Sequence, residues 1–104
     1  WFVGRLDFAP PARDMADAGF PLAGGRLDYV AERAVAALVY TRGKHTINLF
    51  VWPAAAGKTL DPVPRSVRGY NLSRWTSSGL AYWAVSDLNP RELDLFVRSF
   101  RERE

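Results

Sequence analysis

The side chain best suited to catalysis or metal binding is that of His45, the single histidine of the chain, in the segment RGKHTINLFVWP at 42–53. An imidazole can act as a general base when a carboxylate orients it, and it can hold a metal together with a second histidine or clustered carboxylates. No acidic residue lies in the same predicted hairpin. We therefore interpret His45 as a partly exposed partner of Tyr40 beside a turn. A pH-sensing role would need a bistable element, which the sequence does not reveal.

Other patterns that could carry chemistry also fail their own requirements. The GKT at 57–59 forms a phosphate-binding loop only if a glycine precedes Gly57 by five residues. That position holds Trp52, and Pro62 and Pro64 interrupt the helix that would have to follow. The serines lie in no nucleophile elbow, and the absence of cysteine excludes thiolate ligands, cysteine nucleophiles and disulfides. The sequence thus predicts a protein that is not an enzyme and has no metal and no cofactor.

The length and composition indicate one globular domain. The chain has 104 residues, of which 48% are hydrophobic and 24% charged, and we treat 1–104 as a single domain. The net charge is +3, but the arginines are interleaved with acids, so we predict no nucleic-acid partner. No apolar run approaches the ~20 residues that span a bilayer. Because the chain begins with Trp1, we expect it to be a fragment of a longer protein.

The first half of the chain predicts one short helix among strands. Residues 2–8 have the pattern of a short strand, and the prolines and Gly19 bracket a short helix around 10–18. The β-branched and aromatic runs at 20–30 and 34–52 are typical of antiparallel strands. The segment 53–66 contains three prolines and no strand or helix period, which predicts a long loop.

Two hairpins dominate the predicted sheet. With Arg42–Gly43 at the centre of the first turn, Tyr40 lies opposite His45, and both faces of the hairpin are largely apolar. This predicts a central hairpin that is covered on both sides or that has an interface on one side. The second hairpin turns at TSSG, residues 76–79, which sets Trp75 opposite Leu80.

The clearest element is a helix that begins after Asn89. Asn89 is the predicted N-cap, Pro90 occupies the first helical position, and Glu92 completes a capping box. Leu93, Phe96, Val97 and Phe100 form one apolar stripe. We therefore predict an α+β fold: an antiparallel sheet of about five or six strands built from hairpins, a short N-terminal helix and a C-terminal helix packed on the sheet.

Aromatic residues with nearby arginines are the best candidates for a functional surface. Neighbours such as Tyr82 and Trp83 point to opposite faces of a strand, so an uncovered sheet face would present an aromatic patch. Aromatic side chains and arginine are enriched at protein interfaces. The predicted interaction surface, to which the loop at 53–66 is added, consists of Trp52, Arg68, Tyr70, Arg74, Trp75, Tyr82 and Trp83.

Two segments give the chain a family resemblance. They are GRLDYVAERAVAALVYTRGKHTINLFVWP and RGYNLSRWTSSGLAYWAVSDLNPRELDLF, and within them the patterns ALVY-R--KH-INLFVWP and GYN---W---G--YWAVSDL are the most specific. In these the sequence resembles the C-terminal, extracytoplasmic part of proteobacterial transmembrane anti-sigma factors. The resemblance extends from about LDFAPP to the final helix.

The resemblance implies a parent protein of three parts. A cytoplasmic N-terminal segment, in some members zinc-binding, would hold an extracytoplasmic-function sigma factor, and one membrane helix would connect it to this domain at the periplasmic face of the inner membrane. The domain would act by binding a periplasmic protein or signal ligand, with self-association left open. The alternative is a periplasmic module that binds a small molecule or lipid in a pocket between the helix and the sheet.

Overall fold

The computed structural model describes residues 11–30, 33–54 and 59–103. They form one six-stranded antiparallel sheet followed by a C-terminal helix, which confirms the predicted α+β fold. The elements are β1 (Leu22–Val30), β2 (Arg33–Arg42), β3 (His45–Pro53), β4 (Leu60–Val67), β5 (Tyr70–Ser77), β6 (Leu80–Ser86) and α1 (Pro90–Glu102).

The sheet joins two three-stranded units side by side. Its strand order is β1-β2-β3-β6-β5-β4, so β3 and β6 pair at the centre and β1 and β4 are the two edges. Both central strands carry apolar residues on their two faces. One face is buried beneath α1, and most side chains of the other face are half-buried.

The C-terminal helix begins and packs as predicted. The Asn89 side-chain oxygen accepts a hydrogen bond from the Glu92 backbone N–H at 2.9 Å, and the Asn89 amide donates to the Glu92 carboxylate at 3.1 Å. Leu88, just before the cap, is buried against the core. The stripe from Leu93 to Phe100 is buried on one face of the sheet.

Both hairpin registers differ from the prediction by two residues. Tyr40 lies opposite Ile47, and His45 lies opposite Arg42. The cause is turn chemistry, because two-residue hairpin turns favour a left-handed first central residue and Gly43 (φ 58°) takes that place. The second turn likewise centres on Ser78–Gly79, so that Trp75 faces Tyr82. A two-residue shift preserves the alternation of side chains, so the predicted faces of β3 hold.

The prediction of a loop at 53–66 is wrong for the second half of that segment. Residues 60–67 form β4, which pairs with β5 despite Pro62 and Pro64. Proline lacks the N–H that a sheet ladder needs, so it is tolerated chiefly in edge strands. β4 is such an edge, and its pairing is irregular between Leu60 and Val63.

The N-terminal helix is reduced to one 3₁₀ turn, Ala16–Ala18. The Asp14 carboxylate accepts hydrogen bonds from the backbone N–H groups of Ala16 and Leu22, which favours a compact turn over a longer helix. Gly19 ends the turn in the left-handed conformation, as predicted for the helix stop. The strand predicted at 2–8 lies outside the described residues.

Candidate interaction surface

One face of the sheet is filled by aromatic side chains beneath α1. Trp75 of β5 and Tyr82 of β6 stack with ring centroids 4.9 Å apart and planes 7° apart. The Phe100 ring lies 5.5 Å from Tyr82 in an edge-on arrangement, and Phe96 lies 5.0 Å from Tyr40. The rings therefore fill the space between the sheet and the part of α1 that carries Phe96 and Phe100, so the described residues leave no ligand pocket there.

Trp75 and Tyr82 were predicted to lie on the interaction surface, but the structure buries both. Each is only 2% exposed. The observed register sets them opposite each other on the side that α1 covers, and Phe100 packs against both rings. Their shared face was predicted, but the side of the sheet that the helix covers was not.

The opposite side of the sheet carries the other predicted aromatics. Trp52 of β3 and Trp83 of β6 are half-buried, with ring centroids 5.5 Å apart and planes at 71°. Phe50 lies directly opposite Trp83, and Arg74 flanks Trp83 from β5. Because α1 packs on the other side, we call this side the open face and define it by Val39, Asn48, Phe50, Trp52, Leu72, Arg74, Trp83 and Val85.

The charge on the open face is predominantly positive. Arg65 of β4 lies opposite Leu72 and so adds a second arginine beside Arg74. Neither arginine has an ion-pair partner among the described residues. Arg26 of β1, at the other end, donates to the Asn48 side chain at 3.2 Å and contacts Asp28 at 3.5 Å. An apolar aromatic centre with basic margins is suited to binding a partner of complementary negative charge.

The remaining two predicted residues lie at one end of this surface. Tyr70 is exposed and pairs with Val67 on the same side as Leu72. Arg68 occupies the preceding turn, with a left-handed φ of 50°. Phe50 and Val85, which the prediction did not include, join the surface because β3 pairs with β6. Pairing between strands distant in the chain leaves no local sequence signal, although alternation already placed Phe50 beside Trp52.

His45 has an acidic partner that the sequence did not reveal. Its Nδ1 atom lies 3.1 Å from Oδ1 of Asp87, which precedes α1. The predicted pairing with Tyr40 is wrong, since Tyr40 lies opposite Ile47. The acidic partner comes from outside the β2–β3 hairpin, whose own sequence contains no acid. The two side chains are 47% and 54% exposed, and no group of three or more potential metal ligands occurs among the described residues. The pair is a solvent-exposed link between β3 and the start of α1.

Tyr40 is a titratable group whose pKa is clearly shifted. Burial raises the pKa of its hydroxyl well above the ordinary value. The hydroxyl donates to the backbone carbonyl of Arg13 at 2.7 Å. It therefore ties the segment before β1 to the core, a structural role.

A cleft of about 220 Å³ lies between β4, β5 and the start of α1. Ligand pockets for small molecules are usually larger, roughly 300–1,000 Å³. The Asn71 side chain, on its wall, accepts from the Ser66 hydroxyl and donates to the Leu88 carbonyl, both at 2.6 Å. The other lining residues include Pro64, Ser73, Leu93 and Asp94.

Comparison of the chain with family models, curated proteins and solved structures finds no match. Within residues 11–30, 33–54 and 59–103, no helix is long and apolar enough to cross a bilayer.

Proposed function

We propose that this chain is the extracytoplasmic regulatory domain of a membrane-anchored anti-sigma factor and that it works by binding, not by catalysis. Its contact surface is the open face, which would receive a periplasmic protein or signal ligand. The sigma factor itself would be held by a cytoplasmic segment of the parent protein, beyond a membrane helix upstream of Trp1.

The observation that carries the binding role is the Trp52–Trp83 pair. Two tryptophans in edge-on contact at 5.5 Å remain half-buried on a face that α1 does not cover. Large aromatic side chains tend to supply much of the energy of protein interfaces, and arginine is enriched beside them. Arg74 provides that neighbour.

The anti-sigma identity rests on the sequence resemblance, and the coding sequence upstream of Trp1 tests it. We expect a hydrophobic span of ~20 residues there, preceded by a soluble segment that binds a sigma factor. A cleavable secretory signal peptide in that position would contradict the proposal, because the domain would then have no cytoplasmic counterpart.

The binding role is tested in the parent protein with a transcriptional reporter for its sigma factor. Trp52→Ala should change reporter output at unchanged protein level, because it removes half of the tryptophan pair. Arg98→Ala is the matched control, since Arg98 is exposed on α1, away from the open face, and forms its ion pair with Asp94 of the same helix. Equal output from wild type and Trp52→Ala would contradict a contact role for this face.

The second candidate, a module for a small molecule or lipid, is favoured by the cleft beside Asn71. Native mass spectrometry of the purified domain distinguishes the two functions. A co-purified ligand that is lost in Leu93→Trp, which would fill the cleft, supports the second candidate. A ligand-free mass supports the open face as the working surface.

A further inference from the structure

The two edges of the sheet differ in how they resist the addition of another strand. β4 contains Pro62 and Pro64 and an irregular pairing, which are devices that block edge-to-edge association. β1 contains no proline, and among the described strands none pairs with its outer edge. No described strand bonds the outward backbone groups of Gly25 and Leu27, which can accept an added strand. The outward N–H of Tyr29 donates to the Asp28 carboxylate at 2.8 Å, and strand addition would replace that bond.

The usable part of β1 is centred on Leu27. β1 has an irregularity between Leu22 and Gly24, after which residues 24–30 pair continuously with β2. Leu27 is the middle residue of that run. If a second copy of β1 is laid antiparallel with Leu27 opposite Leu27, the regular segments of both copies overlap along their whole length.

In this register the charges of the two copies are complementary. Arg26 of one copy lies opposite Asp28 of the other, and the symmetry repeats this contact, giving two cross-strand ion pairs. Within one copy the two side chains contact each other at 3.5 Å on the same side of the strand, and they are 46% and 42% exposed. The cross-strand pairs form by exchange of this contact between the copies. Charged residues often protect an edge strand, but here their order around Leu27 favours self-pairing over repulsion.

The shapes are complementary as well. Tyr29 is 68% exposed, the highest value among the exposed large hydrophobic residues of the described chain. In the same register Tyr29 lies opposite Gly25 of the other copy, on the same side of the strands. An aromatic ring opposite a strand glycine covers backbone that would otherwise remain hydrated.

We propose that two copies of this domain associate through β1, antiparallel and centred on Leu27, so that two six-stranded sheets become one continuous sheet. The two-fold axis then runs perpendicular to the sheet. Both open faces point to the same side and both α1 helices to the other, so the dimer presents two adjacent open faces. The inference goes beyond the proposed function and does not depend on it, because it concerns an edge of the sheet and a second copy of the chain.

Sedimentation equilibrium of the purified domain tests this pairing. Wild type should be a concentration-dependent dimer. Arg26→Asp and Asp28→Arg each replace two attractive pairs by two repulsive ones, and each should weaken the dimer about tenfold or more. A mixture of the two variants should associate, because the acidic copy then faces the basic copy. The double variant Arg26→Asp/Asp28→Arg should dimerise like wild type.

Arg65→Asp, a charge reversal on the opposite edge, is the matched control and should leave the dimer unchanged. A monomeric wild type up to millimolar concentration would overturn the proposal. So would unchanged association of either single variant, a mixture that stays monomeric, or an equal loss in Arg65→Asp. Circular dichroism checks that each variant is folded. If one single variant is unfolded, the double variant still tests the pairing, because it should restore the dimer.

Discussion

Tyr82 and Trp83 are neighbours in the chain but belong to different environments. Tyr82 points toward α1, stacks on Trp75 and is almost completely buried. Trp83 points to the open face, contacts Trp52 edge-on and remains half-buried. The two faces of β6 have similar composition, so composition alone does not decide which aromatics form the core. The side on which α1 packs determines which aromatic side chains are buried in the core.

If Tyr82 belongs to the core and Trp83 to the surface, their replacement should lower the unfolding free energy by different amounts. Tyr82→Ala tests the core assignment. Removal of a large aromatic side chain from a packed core costs about 3–5 kcal/mol of unfolding free energy. We expect Tyr82→Ala to lose that amount in denaturant-induced unfolding, with Trp75→Ala similar because the two rings stack. A loss below about 1 kcal/mol would be typical of a surface residue and would contradict the assignment to the core.

Tyr40→Phe tests how the covered face is tied to the segment before β1. The variant leaves the Arg13 carbonyl without its partner, at a cost of about 1–3 kcal/mol. Because burial raises the pKa of Tyr40, the folded state keeps the proton at pH values where the unfolded chain loses it. Wild-type stability should therefore fall as pH rises above about 10, and this fall should be weaker in Tyr40→Phe. An identical pH profile for both proteins would contradict the buried hydroxyl.

Asn89→Ala weakens the start of the helix that distinguishes the two faces. It removes the hydrogen bond to the Glu92 N–H and should cost about 1 kcal/mol. Asn89→Ser, which can still accept that bond, is the control and should retain most of the stability. Thermal unfolding followed by far-ultraviolet circular dichroism measures both, and equal losses would exclude a capping role.

Trp83→Ala should have the smallest effect on stability. The ring contacts Trp52 and lies opposite Phe50 on the face away from α1, so we expect a loss of about 1 kcal/mol or less. A loss as large as that of Tyr82→Ala would mean that the open face is a second core. Denaturant-induced unfolding of the two variants under the same conditions makes the comparison direct.

Local sequence signals predicted the elements better than their arrangement. The Asn89 cap, the apolar stripe of α1 and the strands around His45 follow from patterns a few residues long. Both turn centres were misplaced because left-handed backbone at Gly43 and Ser78 decides the register. The pairing of β3 with β6 and the contact between His45 and Asp87 join residues far apart in the chain, for which a single sequence carries no signal.

If the proposed function is correct, Tyr82 and Trp83, adjacent in β6, have different roles: Tyr82 stabilises the fold and Trp83 contributes to binding. The most direct test of these roles measures unfolding free energy and sigma-factor reporter output for Tyr82→Ala and for Trp83→Ala in the parent protein. We expect Trp83→Ala to change reporter output while the domain stays folded at normal protein level, and Tyr82→Ala to lower stability and protein level. Reporter output that is unchanged in Trp83→Ala, or that changes only in proportion to lost protein, would contradict these roles.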